Sequence, residues 1–250
     1  MSVAPAAADV PLDTVALADW MRGQGFTVAA SLTARSLTGG QSNPTFLLSD
    51  GQWQFVLRKK PPGPLLPSAH AVDREYRVMR ALQGSGVPVP EVHVYCDDAS
   101  IVGTPFYLMQ FLEGRVFVDQ SLPGMTVSQR SSIYWEMNRV IAALHRIDPV
   151  AVGLGDYGRA GNYFGRQIAR WSRQYQDSRT EDIPAFDALI EWLPRHVPPG
   201  DQAAIVHGDY RLDNLVFHPS EPRVIGLLDW ELSTLGHPLG DFAYHCMSWH

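Results

Sequence analysis

The stretch "IVHGDYRLDNLVFHP", Ile205 to Pro219, constrains the fold of this chain more than any other. It sets a histidine, two aspartates, an arginine and an asparagine within eight residues, His207 to Asn214. Apolar residues close it in on both sides: Ile205 and Val206 before, Leu215, Val216 and Phe217 after. Flanks of this kind read as short buried strands, so the polar loop between them is drawn toward an interior. Desolvating so many polar groups is costly unless each finds a partner. Fifteen residues past Asn214, Asp229 ends a second apolar run, "VIGLL", and puts another carboxylate at the end of a buried strand.

The 250 residues suffice for one large domain or two modest lobes around a substantial core. A net charge of −6 argues against a protein that binds nucleic acid or an anionic membrane by general electrostatics. Two cysteines, Cys96 and Cys246, give no disulfide framework and point to a reducing, cytoplasmic setting. No apolar run approaches the roughly 20 residues of a membrane helix. The start, "MSVAPAAADVPLD", has no basic region ahead of a long apolar core and reads as a flexible lead-in rather than a signal peptide. The end, "GDFAYHCMSWH", is apolar and helix-like and stops without a cap or polar tail. Such a surface calls for something to pack against. The expectation is a fragment of a longer protein or a natural truncation, with self-association or a partner at this end.

Along the chain, "DTVALADWMRGQG" carries apolar residues at helical spacing. The runs "TARSLTGG", "PTFLLSD" and "WQFVLRKK" read as strands between glycine-bearing turns. "SAHAVDREYRVMRALQGSG" predicts a helix with Ser68 as N-cap, and "PFYLMQFL" a strand. From about Ser128 the pattern turns helical, through "SQRSSIYWEMNRVIAALHRI", "RQIARWSRQYQDS" and "AFDALIEWLPRHV". The predicted class is α+β in two lobes: a small β-rich N-lobe over 1–108, and a mainly helical C-lobe over 109–250 that begins at the hinge. A cleft lies between them.

Phosphoryl transfer needs a base near the acceptor hydroxyl, hard oxygen ligands for Mg²⁺ and cations on the phosphates. Asp209 and Asn214 stand five residues apart, the spacing of kinase loops of the form H-x-D-x-x-x-x-N. In that geometry Asp209 orients and deprotonates the hydroxyl, and Asn214 offers its carbonyl oxygen to the metal. Asp229 is suited to be a rigid Mg²⁺ ligand. Arg211 falls where protein kinases carry a lysine near the transferred phosphate. His207 belongs to the same catalytic group, holding the loop by hydrogen bonds. Taken singly, each aspartate is better explained as a turn-former or cap; the ordered set of four is more specific.

The stretch "HGDYRLDNLVFHPSEPRVIGLLDWELSTLGHPLGDFAY" resembles the aminoglycoside phosphotransferase and choline kinase superfamily, a branch of the protein-kinase-like fold. "FVLRKKPPG", "AHAVDREYRVMRAL", "GTPFYLMQFLEGRVF" and "GNYFGRQIARW" resemble, more narrowly, the phosphotransferase-like domains associated with acyl-CoA dehydrogenases. The resemblance implies ATP and Mg²⁺ as cofactors, Asp209 as base, and Asn214 and Asp229 as metal ligands. It also implies further C-terminal helices that this sequence lacks. His237 stands where the pattern has an aspartate and reads as peripheral, while Asp241 matches the family's later aspartate.

For such a fold the first lobe must supply a phosphate-covering turn, a cation and a carboxylate for that cation. "LTGGQSNPTF" fits the turn: Gly39 and Gly40 let backbone approach phosphates, and Gln41, Ser42 and Asn43 add donors. A plain hairpin turn fits it equally. The cation is Arg58 or Lys59. Side chains alternate along a strand, so Arg58 shares a face with Val56 while Lys59 shares one with Phe55 and Leu57. An aliphatic residue two positions before the cation matches "V-A-I-K" and favours Arg58, with Glu75 as its partner. "YLMQFLEG" reads as the hinge, with backbone from Gln110 to Leu112 on the adenine edge and Met109 behind it.

"GLGDYG", Gly153 to Gly158, matches G-x-G-x-x-G, but it follows a helix rather than a strand, and Pro149 spoils a strand there. The reading favoured is a small-molecule kinase moving the γ-phosphate of ATP to a hydroxyl, with a hydroxyacyl-CoA or hydroxy acid as acceptor class from family association. A catalytically silent nucleotide-binding domain and an interaction module using the same fold are the alternatives.

Overall fold

Asp13 starts the first element of the computed structural model, which describes residues 12–29, 31–37, 43–63 and 70–247. Its carboxylate accepts the Val15 and Ala16 N–H groups at 3.1 and 3.0 Å, capping helix α1 (Thr14–Gly23). Strands β1 (Thr33–Ser36), β2 (Thr45–Ser49), β3 (Gln54–Lys59), β4 (Val92–Cys96) and β5 (Phe106–Gln110) form one antiparallel sheet in the order β1-β2-β3-β5-β4. Helix α2 (Val72–Leu82) joins β3 to β4, and a single-turn α3 (Ala99–Val102) joins β4 to β5.

One expectation for this part is corrected. Helix α2 begins at Val72 with Ala71 at its cap position and no side-chain cap bond, so Ser68, which lies outside the described residues, is not its N-cap. Helix α3 was hidden in "DDASIV", where four residues are too few to show a period; Asp98 starts it by accepting the Ser100 N–H at 2.8 Å. The lead-in 1–11 and the last residues, 248–250, lie outside the described residues.

Alternation on β3 divides the sheet between two cores. One face, with Leu48, Leu57, Phe106 and Leu108, packs on Leu17 and Met21 of α1. The other, with Val56, Tyr107 and Met109, packs on Val72, Val78 and Met79 of α2. That second cluster does not stop at the sheet. It continues through Met137, Val140 and Leu144 of α4 (Val127–His145) to Ile205, Tyr210, Leu227 and Trp230. One apolar body therefore joins the β-rich part to the helical part.

Helix α4 opens with a capping box, Thr126 accepting the Gln129 N–H while the Gln129 side chain accepts the Thr126 N–H. Helices α5 (Tyr163–Ser178) and α6 (Pro184–Trp192) contain no buried residue and expose Trp171, Phe186 and Trp192. Then come β6 (Ala204–Val206), β7 (Leu215–Phe217), β8 (Val224–Leu227), β9 (Thr234–Gly236) and α7 (Pro238–Cys246). β7 pairs with β8, and β6 pairs with β9, both antiparallel. The polar loop is thus slung between two small ribbons, with Asp229 just beyond the end of β8. Among the described residues no helix is long and apolar enough to cross a membrane.

Candidate active site

The polar loop is held by one buried carboxylate. Asp241, in the first turn of α7 and 3% exposed, accepts the His207 N–H at 2.6 Å and the Gly208 N–H at 2.8 Å. His145 Nε2 lies 3.1 Å from the same carboxylate. Gly208 has φ +85°, and a Cβ there would fall 2.6 Å from the Leu232 carbonyl oxygen, so only glycine fits. His207 is fully buried; its Nε2 donates to the Leu228 carbonyl at 2.8 Å and its Nδ1 accepts the Asp209 N–H at 3.3 Å. Burial pushes its pKa down, and this pair of bonds fits the neutral ring. With both nitrogens engaged and no exposure, His207 is a brace for the loop. Its place among the catalytic residues is corrected on that ground.

The loop presents Asp209 outward. Asn214 Nδ2 donates to the Asp209 carbonyl at 2.8 Å and to its Oδ2 at 3.0 Å. Arg211 Nε lies 3.1 Å from Asp209 Oδ1, and its Nη2 lies 3.0 Å from Asp213 Oδ2. Tyr244 of α7 lies beside Asp209, whose nearby carboxylate adds to burial in raising the Tyr244 pKa. Asp241 and Tyr244 sit three apart on one helical face, and that spacing was the signal by which sequence could have found the pair. Asn214 spends its amide nitrogen inside the loop, which leaves Oδ1 as the atom it can offer.

Asp229 meets this loop through backbone, the Leu228 N–H donating to the Asn214 carbonyl at 2.9 Å. Its φ of +64° and ψ of +63° are left-handed, a conformation aspartate adopts rarely and at a cost. Arg58 reaches it from β3: Nη2 lies 2.6 Å from Asp229 Oδ1 and 3.9 Å from Glu231 Oε2. Arg58 Nε lies 2.9 Å from Glu75 Oε2 as an ion pair whose hydrogen-bond alignment is poor. Burial disfavours the Arg58 charge, yet the three carboxylates outweigh it and raise its pKa above the ordinary value. Burial pushes Glu75 up to about 7 against the opposing pull of Arg58. Lys59 takes the opposite face, where its ammonium donates to the Val102 carbonyl of α3 and burial lowers its pKa.

Asn43 is corrected. It is fully buried, its Nδ2 donates to Glu75 Oε1 at 2.6 Å, and its Oδ1 lies 3.1 Å from His70 Nδ1. Its side chain steadies Glu75, and its full burial keeps it from a phosphate. Gly39, Gly40, Gln41 and Ser42 lie outside the described residues. Val56 and Met109 face each other across the β3–β5 register. The Gln110 N–H is already given to the Glu91 carbonyl at 2.8 Å, so the hinge donor cannot be Gln110. Leu112 packs where Gly226 of β8 lacks a side chain, an ideal Cβ there falling 2.1 Å from Leu112 Cδ1. His237 is the N-cap of α7, Nδ1 accepting the Leu239 N–H at 3.2 Å, which is a task an aspartate also performs.

A metal at this site would find two protein oxygens, Asn214 Oδ1 and the Asp229 carboxylate. Among the described residues no group of three or more His, Cys, Asp or Glu could hold a metal. Two hard oxygens suit Mg²⁺, which keeps several waters and takes further oxygens from phosphates.

Comparison with known proteins follows this geometry. The model of the phosphotransferase enzyme family matches residues 33–250. Acyl-CoA dehydrogenase family member 10 of Mus musculus is 51% identical over 211 residues, 84% of this chain. The chain spans only 20% of the length of that relative. A crystal structure of a candidate aminoglycoside phosphotransferase from Ralstonia eutropha JMP134 is 56% identical with a TM-score of 0.86, covering 96% of this chain and 71% of that one. The streptomycin–ATP–APH(2'')-IIa ternary complex shares the fold at 18% identity and a TM-score of 0.65, covering 93% of this chain and 76% of that one. The two-part α+β architecture is accordingly the protein-kinase-like fold, and the chain belongs to the phosphotransferase enzyme family.

Proposed function

We propose that this chain transfers the γ-phosphate of ATP, as its Mg²⁺ complex, to a hydroxyl of a small molecule. The observation that carries this reading is the cluster of Arg58, Glu75 and Asp229. It joins a cation of the sheet to a carboxylate 171 positions further along the chain, beside a loop that presents Asp209. Buried charges are held only where partners compensate them, and three carboxylates around one arginine leave net negative charge for a metal to balance.

In this reading Arg58 turns from Asp229 to the phosphates when nucleotide enters, with Glu75 fixing its other edge. Val56 and Met109 line the adenine slot. The Leu112 N–H and C=O, which bond no other described residue, take the adenine edge in place of Gln110. Gly39, Gly40, Gln41 and Ser42 cover the phosphates. Asn214 and Asp229 hold Mg²⁺, which supplies charge neutralisation on the phosphate oxygens. Asp209 orients the acceptor hydroxyl and takes its proton, and Arg211 swings from Asp209 and Asp213 to the transferred phosphoryl group. The boundary between lobes falls at residues 108–109, and the setting is the cytoplasm. The acceptor is a hydroxyacyl-CoA or hydroxy acid. The name of the mouse relative supports this class.

Thermal stability with and without ATP and Mg²⁺, beside Asp229→Ala, tests the reading. A ligand that binds only the folded state stabilises it by roughly 2.7 kcal/mol at a hundred times its dissociation constant. The expected rise needs Mg²⁺ and vanishes in Asp229→Ala; no rise in the folded wild type defeats the proposal.

A further inference from the structure

The G-x-G-x-x-G match at Gly153–Gly158 has no part in the nucleotide site proposed above, yet its first glycine is required by backbone conformation and its last by close packing. Gly153 has φ +76°, and a Cβ on Gly158 would fall 2.3 Å from Thr234 Oγ1 and 2.5 Å from the Leu235 nitrogen. The loop is pressed onto β9. Within it Tyr157 is 1% exposed and touches two separate parts of the molecule. Arg74 of α2 lays its guanidinium carbon 4.1 Å over the Tyr157 ring and donates from Nη2 to the Tyr157 carbonyl at 2.7 Å. The same nitrogen reaches the Ser233 carbonyl at 3.4 Å. The Tyr157 hydroxyl donates toward the Arg74 carbonyl at 3.2 Å and meets Ser233 Oγ at 2.7 Å.

Arg74 immediately precedes Glu75, and Ser233 closes the short segment that begins at Asp229. Tyr157 therefore grips, from behind, both carriers of the carboxylates that flank Arg58. Arg77 adds contacts to Gly153 and Asp156, but these are exposed and hold little. Beside the apolar packing of Val72, Val78 and Met79, the buried Arg74–Tyr157–Ser233 contact is the directional one that ties α2 to the C-terminal part.

We propose that Tyr157 and Arg74 are positioning residues that lock α2 to the C-terminal part, keeping Glu75 and Asp229 together on Arg58 before any nucleotide arrives. The loop holds α2 in the position that pairs Glu75 with Arg58. The proposal rests on the nucleotide reading for its functional half, while its structural half is readable in the free protein.

The test is amide hydrogen exchange of α2 and α4 in free wild type, Tyr157→Phe, Arg74→Ala and Arg80→Ala, with the Mg·ATP dissociation constant of each. Arg80 shares the helix, and among the described residues its side chain bonds only Tyr76, at 3.3 Å, so its variant reports helix propensity. Tyr157→Phe keeps the ring and removes only the hydroxyl, which guards against simple misfolding. The expected result is α2 exchange faster by roughly tenfold, the scale of one net hydrogen bond, with α4 unchanged. Mg·ATP affinity should fall by about 3- to 10-fold in Tyr157→Phe and more in Arg74→Ala, with Arg80→Ala like wild type. Unchanged α2 exchange in Tyr157→Phe overturns the lock. Faster exchange with unchanged affinity overturns the positioning role. Wild type without Mg·ATP affinity defeats the nucleotide reading and with it the positioning role, while the exchange data decide the lock independently.

Discussion

Asp241→Asn removes one oxygen and one charge from a site where nothing else can replace them. In the native structure Oδ2 accepts the His207 N–H at 2.6 Å and Oδ1 accepts the Gly208 N–H at 2.8 Å. An asparagine can accept on one side only; whichever way it turns, its NH₂ faces a backbone donor. One charge-assisted bond is lost outright and a buried N–H is left unpaired, at roughly 1–3 kcal/mol. The surviving bond changes from a charged to a neutral acceptor, which costs about 1 kcal/mol more. The sum is about 3 kcal/mol. At roughly 2–4 °C per kcal/mol for a chain of this size, the melting temperature should fall by about 6–12 °C. Urea denaturation of both proteins at pH 7.5 measures the free energy directly, with Asp241→Ala beside them to separate the lost acceptors from the added donor. A loss below about 1 kcal/mol in Asp241→Asn refutes the reasoning, because it means the two N–H groups find other partners.

Asp209→Asn should lower phosphoryl transfer by roughly 10²–10⁴-fold, the worth of a general base, while Mg·ATP binding measured by titration stays within about threefold. Glu75 has its folded-state pKa raised to about 7 from an ordinary 4.5, so its contribution to stability is full below about 4.5 and is lost as pH rises through about 7. Glu75→Gln should remove that decline; urea midpoints at pH 5 and pH 8 measure it, and equal pH slopes for both proteins contradict it. Gly208→Ala should cost more than about 2 kcal/mol, since it combines a left-handed backbone with a Cβ driven to 2.6 Å from the Leu232 carbonyl oxygen; a melting curve decides.

Period-two alternation separated the faces of Arg58 and Lys59, and the match to V-A-I-K chose Arg58 and made Glu75 its expected partner. The left-handed backbone at Asp229 was not legible, since nothing in "LLDWE" demands it. The partner of the polar loop was hidden for a different reason. Asp241 lies 34 residues from His207, and only the docking of α7 brings its carboxylate under the loop. Asn43 looked like one donor among several in a polar turn. Its burial depends on α2 crossing above it, which local sequence does not record. The Gln110 N–H likewise went to Glu91 because of the strand crossing from β4 to β5. Local pattern shows which chemistry is present, and long-range packing decides which atoms are left free to perform it.

The apolar body that runs from Val56 and Met79 to Ile205 and Trp230 bears on the order of events as the chain is made. Synthesis proceeds from the N-terminus, and early segments fold as soon as their partners exist. Here the sheet can complete its α1 face once Leu108 has emerged, but its α2 face must wait 122 residues more for Trp230. During that interval Val72, Val78 and Met79 lack part of their cover, and the newborn N-terminal half presents a sticky surface. A ribosome stalled near residue 200 should therefore hold a half-finished protein that recruits holding chaperones, and one stalled past the exit of Leu235 should not.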